Sequence, residues 1–198
     1  KVKSITGANS VLALSSGMAA ITNTIIALLK SEDNIISSKF LFGNTLSLFE
    51  KTLKPWGLNV KYTDFSSPGS IKKNIDGDTK IIFLETITNP QLEVADIEEI
   101  SKIANKNNIL LIADSTLTPL YFANLGKLGI HIETLSSTKY ISGGATSVGG
   151  LIIDHGNFDW SNFEKLQEDA RKFGLFALIN KLKRESYRNM GASLSPNS

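Results

Sequence analysis

The segment Ile109-Leu110-Leu111-Ile112-Ala113-Asp114 decides the fold class. Its unbroken apolar run lacks the polar alternation of a half-exposed strand, so it predicts a strand buried on both faces. It stops on a carboxylate, and Ser115-Thr116 follows as a turn signal. Working outward, short β-branched or Leu-rich runs recur at Ser10–Leu14, Asn34–Ser37, Asn59–Thr63, Lys80–Leu84, Ile132–Leu135 and Val148–Ile153. Between them the pattern predicts helices over Gly17–Leu29, Thr45–Lys54, Ser70–Ile75 and Ile97–Asn107. Asp96 reads as the N-cap of the last, with Glu98 and Glu99 favourable in its first turn. Such alternation implies right-handed crossovers and an α/β fold, a mostly parallel sheet flanked by helices. After Trp160 the pattern predicts a long, charged helical tail to about Gly191. Its Lys181, Lys183, Arg184 and Arg188 read as a solvated helix face. No repeat or low-complexity linker interrupts the chain, so residues 1–198 read as one domain. Both ends read as cut. Lys1-Val2-Lys3 has no start feature, and Ser195-Pro196-Asn197-Ser198 is a loop signal with nothing to lead into.

Composition narrows the chemistry. The chain is 41% hydrophobic and 20% charged, the balance of a globular protein rather than a disordered one. Lys plus Arg total 21 against 19 Asp plus Glu, a formal net charge of +2. That balance gives no reason to expect a nucleic-acid surface or a membrane partner. There are no cysteines and 2 histidines, which removes disulfides and thiol nucleophiles and argues against a metal centre. The chemistry falls to Lys, Asp, Glu, Ser and Thr, or to a bound cofactor. A cytoplasmic location is expected.

Four places stand where a parallel sheet keeps its ligands, outside the carboxyl ends of strands. Ser15-Ser16-Gly17-Met18-Ala19-Ala20 closes a strand and opens a helix whose free N–H groups suit a phosphate, although an N-cap alone would explain it. Asp114 is costly at a buried strand mouth unless donors or a cation hold it, as a cationic ring nitrogen would; a turn is the alternative. Ser136-Ser137-Thr138-Lys139-Tyr140 puts a lysine after three hydroxyl residues. A surface charge is one reading of Lys139; buried there, it would be a candidate for Schiff-base formation. The following Gly143–Gly150 holds four of the 15 glycines, so the backbone turns tightly or lies close to a ligand. In Glu85-Thr86-Ile87-Thr88-Asn89-Pro90, the proline restricts Asn89 to an extended conformation. A plain turn also fits there. A phosphate cradle, a carboxylate and a strand-end lysine are together the parts of a pyridoxal phosphate site. The interval from Asp114 to Lys139 allows one strand–helix–strand step.

These residues resemble the Cys/Met-metabolism pyridoxal-phosphate enzymes, the group of cystathionine γ-synthase, the cystathionine lyases, methionine γ-lyase and the O-acylhomoserine sulfhydrylases. The resemblance rests on SSGMAA at Ser15–Ala20, LFGNT at Leu41–Thr45, ETITNP at Glu85–Pro90, ADST at Ala113–Thr116 and SSTKYISGG at Ser136–Gly144. It implies the large cofactor-binding domain of a fold type I enzyme. It also implies that Lys139 holds the cofactor and shuttles protons, and that Asp114 pairs with the ring nitrogen. Gly17, Met18, Ser136 and Thr138 would take the phosphate, Phe42 would stack on the ring, and Asn89 would contact the ring oxygen.

GGLIIDHGNFDW at Gly149–Trp160 is most similar to the O-acetylhomoserine sulfhydrylase branch. That similarity implies replacement of the acyl-oxygen group of O-acetylhomoserine by sulfide, giving homocysteine for methionine biosynthesis. Methionine γ-lyase, cystathionine γ-synthase or lyase, and a cofactor-binding relative without turnover are the alternatives. The partners implied are a small amino-acid substrate, sulfide and a second copy of the chain, as dimer or tetramer. Two residues depart from the family pattern: Phe42 stands where most members carry Tyr, and Gly144 replaces a frequent His. The family's N-terminal Tyr and Arg and its substrate-binding C-terminal Arg match nothing here, since Arg171, Arg184 and Arg188 all lie in the tail.

Overall fold

The structure, a computed structural model, describes residues 1–191. The loop expected at Ser195–Ser198 lies outside the described residues. Seven strands form one sheet: β1 (Ser10–Leu14), β2 (Asn34–Ser38), β3 (Asn59–Thr63), β4 (Thr79–Glu85), β5 (Leu110–Asp114), β6 (Ile132–Ser136) and β7 (Gly150–Asp154). Their order is β1-β7-β6-β5-β4-β2-β3. β7 runs antiparallel to both its neighbours, and the other pairings are parallel.

Every strand expected from the sequence is present, with ends shifted by two residues or fewer. The reason is visible in β5. Leu110 and Ile112 enter one core, with Ile25, Leu28 and Phe83; Leu111 and Ala113 enter the other, with Ile100 and Ile103. Alternate side chains point to opposite faces, so a strand covered on both sides must be apolar throughout.

The helices are α1 (Val2–Thr6), α2 (Gly17–Leu28), α3 (Gly43–Ser47), α4 (Pro68–Asn74), α5 (Ile97–Lys106), α6 (Gln167–Phe173) and α7 (Ala177–Leu182). Asp96 caps α5 as expected, accepting from the Glu99 N–H at 3.1 Å. The helix expected over Thr45–Lys54 is instead α3 running into a wider helical turn, Leu48–Leu53, and a tight one, Lys54–Trp56. Between β5 and β6 there is no helix. Residues 115–131 pass in successive turns, with Pro119, Gly126 and a positive φ at Gly129.

The tail also differs from one long helix. Short turns at Trp160–Asn162 and Glu164–Leu166 precede α6, Gly174 at φ +54° ends it, and α7 continues into a wide turn over Lys183–Asn189. Its charges are not all solvated. Lys181 is buried and pairs with Glu185 at 2.7 Å, and Arg184 grips Asp169 through two bonds of 2.8 Å. Only Lys183 and Arg188 are exposed as expected. The cause is packing: Leu178 and Leu182 join the core against α2, and the Tyr187 hydroxyl donates to the Ala13 carbonyl in β1.

Candidate active site

The carboxyl ends of β1, β4, β5 and β6 open on one cavity of about 310 Å³. Gly17, Met18, Phe42, Asn89, Asp114, Ser136, Thr138 and Lys139 all line it. Sequence reasoning chose these residues from separate segments, and the fold brings every one to the same place.

One wall is the start of α2. Ser16 caps it, its side chain accepting from the Ala19 N–H at 3.0 Å, so the capping and cradle readings of this segment coexist. The backbones pack tightly here. A Cβ on Gly17 would stand 2.8 Å from the Ser136 Cβ, and one on Gly150 would stand 2.0 Å from the Ser16 carbonyl oxygen. Only glycine lets β7 lie against the helix start. Farther along the glycine-rich stretch the turn itself is the reason, with positive φ at Gly143, Gly144 and Ala145.

The hydroxyl groups divide in use. Ser136 donates its backbone N–H to the Thr116 hydroxyl at 2.9 Å, and its own hydroxyl has no partner among the described residues. Thr138 is already engaged: its hydroxyl accepts from the Gly149 N–H at 3.1 Å and donates to the Gly149 carbonyl at 3.3 Å. Thr138 therefore pins the glycine-rich loop, leaving Ser136 as the better phosphate donor.

Two carboxylates stand abreast on the cavity floor. Glu85 and Asp114 are register partners on β4 and β5, so their side chains share a face. Asp114 Oδ1 accepts from the Thr116 N–H at 2.9 Å, and Oδ2 meets no protein donor among the described residues. Burial pushes the Asp114 carboxyl up, against those turn bonds. Glu85 is buried and is pushed up to about 7, first by burial and then by Asp114. A desolvated carboxylate with an open oxygen is a ready partner for a cation.

Lys139 lies exposed at the cavity mouth rather than buried. Phe42 is also exposed, at 43%, on the opposite rim formed by the loop after β2. Neither histidine reaches the cavity. His131 accepts from the Leu111 N–H, and His155 bonds Glu133 at 2.7 Å, which in turn accepts from the Ser115 hydroxyl behind Asp114.

Sequence reasoning assigned no role to Glu85 or Thr116, although both sit inside the quoted motifs. The available signal was a carboxylate ending the apolar run of β4, the same one that marked Asp114 on β5.

A family model described as Cys/Met metabolism PLP-dependent enzyme matches residues 1–198. The chain belongs to that family. Among relatives in this family, the homocysteine/cysteine synthase of Saccharomyces cerevisiae is 33% identical over 210 residues, covering 99% of this chain and 47% of the relative. The cystathionine gamma-synthase/O-acetylhomoserine (thiol)-lyase of Bacillus subtilis is 45% identical over 143 residues, 72% of this chain and 38% of its own. The chain thus spans about half the length of the curated relatives it matches, or less.

Among solved structures of the family, the O-acetylhomoserine sulfhydrylase of Wolinella succinogenes superposes with a TM-score of 0.90 at 45% identity, covering 99% of this chain and 57% of that one. A putative O-acetylhomoserine (thiol)-lyase of Campylobacter jejuni gives 0.91 at 30% identity, covering 99% and 52%, and carries a pyridoxyl-lysine monophosphate. The family cofactor is pyridoxal phosphate, and the cavity suits it. The α2 start and the unpartnered Ser136 hydroxyl supply anion donors, the glycine backbones leave room, and Asp114 offers an unpaired oxygen to a ring cation.

Proposed function

We propose that the full-length protein carrying this chain is an O-acylhomoserine sulfhydrylase, taking O-acetylhomoserine and sulfide to homocysteine and serving methionine biosynthesis. One observation carries the reading: the lysine, carboxylate and phosphate-type donors meet in a single cavity, in a fold 45% identical to the Wolinella sulfhydrylase. When bound, the cofactor supplies the electron sink, its aldehyde taking up an amine and its ring withdrawing electrons from the substrate carbon.

The protein's own groups do the rest. The Gly17 and Met18 N–H groups and the Ser136 hydroxyl bind the phosphate at the positive end of α2. Asp114 keeps a proton on the ring nitrogen, which maintains the ring's electron demand. Lys139 Nζ would hold the cofactor aldehyde, and once released would serve as the base that takes the substrate Cα proton and returns protons to the carbon chain. Phe42 would shield the cofactor ring from water, and Asn89 would orient it.

Supplying purified full-length protein with O-acetylhomoserine and sulfide, and separately with methionine and with cystathionine, tests the reading. Homocysteine from the first mixture alone is expected. Release of methanethiol from methionine, or turnover of cystathionine, would move the protein to a lyase or synthase branch.

We also read the protein as a cytoplasmic homo-oligomer built on dimers. The support is its balanced composition and a set of exposed apolar side chains that includes Tyr121, Phe122, Tyr140 and Val148. Sedimentation showing a monomer at all concentrations would end that reading.

A further inference from the structure

Glu85 is a charged-type side chain that the chemistry above does not use, yet it is 6% exposed and lies on the cavity floor. Both of its oxygens are committed. Oε1 accepts from the Phe42 N–H at 2.5 Å, and Oε2 accepts from the Asn89 N–H at 3.3 Å. These donors belong to two different segments. Phe42 ends the irregular loop between β2 and α3, and Asn89 lies in the turn after β4. On the far side of Glu85 a second cavity of about 280 Å³ opens, lined by Ser38, Phe65, Thr88 and Glu93 among others. Leu41 anchors the loop in the core, but the Phe42 ring is itself 43% exposed, and the bond from its N–H to Glu85 is what ties its backbone to β4.

We propose that Glu85 is a positioning residue, a carboxylate brace that fixes the Phe42 ring and the Asn89 side chain at their places around the bound cofactor. This rests on the pyridoxal phosphate reading of the cavity. A carboxylate suits the task because it is acceptor-only and faces two N–H donors; a glutamine offers one acceptor and one donor, and must leave one N–H opposed. A phenylalanine in place of the family's usual tyrosine has no hydroxyl to anchor its own ring, so the aim of that ring depends on its backbone.

Binding of pyridoxal phosphate to the full-length protein, followed by visible absorbance and by circular dichroism of the bound cofactor, tests this. Glu85→Gln is expected to weaken binding roughly tenfold and to change the sign or size of the visible dichroism, as a buried N–H loses its acceptor. On a Phe42→Ala background, which keeps the N–H but removes the ring, the same substitution is expected to lose less.

A second comparison needs no change at Glu85. The φ of Phe42 is −52°, within the range of proline, so Phe42→Pro removes both ring and N–H while Phe42→Ala removes only the ring. Phe42→Pro should bind the cofactor several-fold more weakly than Phe42→Ala. Equal binding by those two variants, unaltered dichroism in Glu85→Gln, or an undiminished penalty on the alanine background would overturn the brace. Wild-type protein that acquires no pyridoxyl adduct on Lys139 after borohydride reduction would overturn the cofactor reading itself, and the brace with it.

Discussion

Asp76 and Asp114 stand at opposite ends of the sheet and are treated in opposite ways. Asp76, beside the amino ends of β2 and β4, accepts from the Asn34 side-chain amide at 2.8 Å, the Thr79 hydroxyl at 2.9 Å and the Asp78 N–H at 3.2 Å, and pairs with Lys61. These partners, Lys61 foremost, hold its carboxyl well below the usual range. Among the described residues, Asp114 at the carboxyl ends is held only by Thr116 within its own turn and keeps an unmet oxygen, and Glu85 beside it is pushed up as well. The amino-end carboxylate is complete and serves the fold. Asp114 is complete only if a cation joins it, which is the mark of a site rather than of a scaffold.

The comparison breaks most decisively at Lys139. Lys139→Ala should remove covalent cofactor attachment and lower turnover by about a thousandfold or more, the scale of a lost proton-transfer group. A pyridoxyl adduct surviving on another lysine would place the chemistry elsewhere. Next comes Asp114→Ala, expected to retain cofactor but to slow exchange of the substrate α-proton about a hundredfold, as for a lost electrostatic stabiliser. Exchange at the wild-type rate, followed by proton NMR in deuterated buffer, would make Asp114 a turn residue like any other.

A subtler contrast lies in the pH dependence of stability. Glu85 in the cofactor-free fold titrates at about 7, against about 4.3 for an unperturbed glutamate. Between those values the folded state holds more protons than the unfolded one, so Glu85 lowers stability as pH rises through that window and has no further effect above it. Burial shifts Asp154, Asp114 and His131 as well, so the test is the difference between two proteins. As pH rises through the window, the Tm of Glu85→Gln should gain on that of the wild type in thermal melts of the cofactor-free protein.

Asp76 carries the opposite sign. Its contribution is present above the usual aspartate value of about 3.9 and is lost as pH falls below it. Being about half exposed, it contributes modestly: Asp76→Ala should lower Tm by a few degrees and leave cofactor affinity unchanged. A change in affinity would mean that the two ends of the sheet are coupled.

What was legible in the sequence follows the same division. Strands covered on both faces announce themselves as apolar runs, and Asp114 and Lys139 were visible because a charged residue ends or follows such a run. The tail was misread because its burial is set by residues far away in the chain. Nothing local to Lys181 or Tyr187 foretells contact with α2 or with the Ala13 carbonyl. The interval from Asp114 to Lys139 has room for a strand–helix–strand step, but the Pro and Gly within residues 115–131 favour turns, and turns are what the chain forms there. Glu85 escaped notice for a third reason. Its place at the end of an apolar run marked it as it marked Asp114, but its partners are backbone N–H groups of Phe42 and Asn89, and a hydrogen bond to the main chain leaves no trace in side-chain identity to say what the carboxylate does.

The reversed strand β7 has one more consequence, for the order in which the molecule assembles. β1 is an edge strand whose single partner is β7, Ser10 lying opposite Asp154 and Leu14 opposite Gly150. Among the described strands, β1 must therefore wait for β7, the last of the seven in chain order, before it has this pairing. α2, whose start forms the phosphate end of the cavity, hangs from that waiting strand. Such a long loop closure is slow and is the kind of step at which exposed edges find wrong partners. The half of the cavity made by β4 and β5 needs no residue of β7, while the packing of the α2 start against Gly150 does, so a nascent chain interrupted before Gly150 would carry the carboxylates of the site without its complete anion cradle.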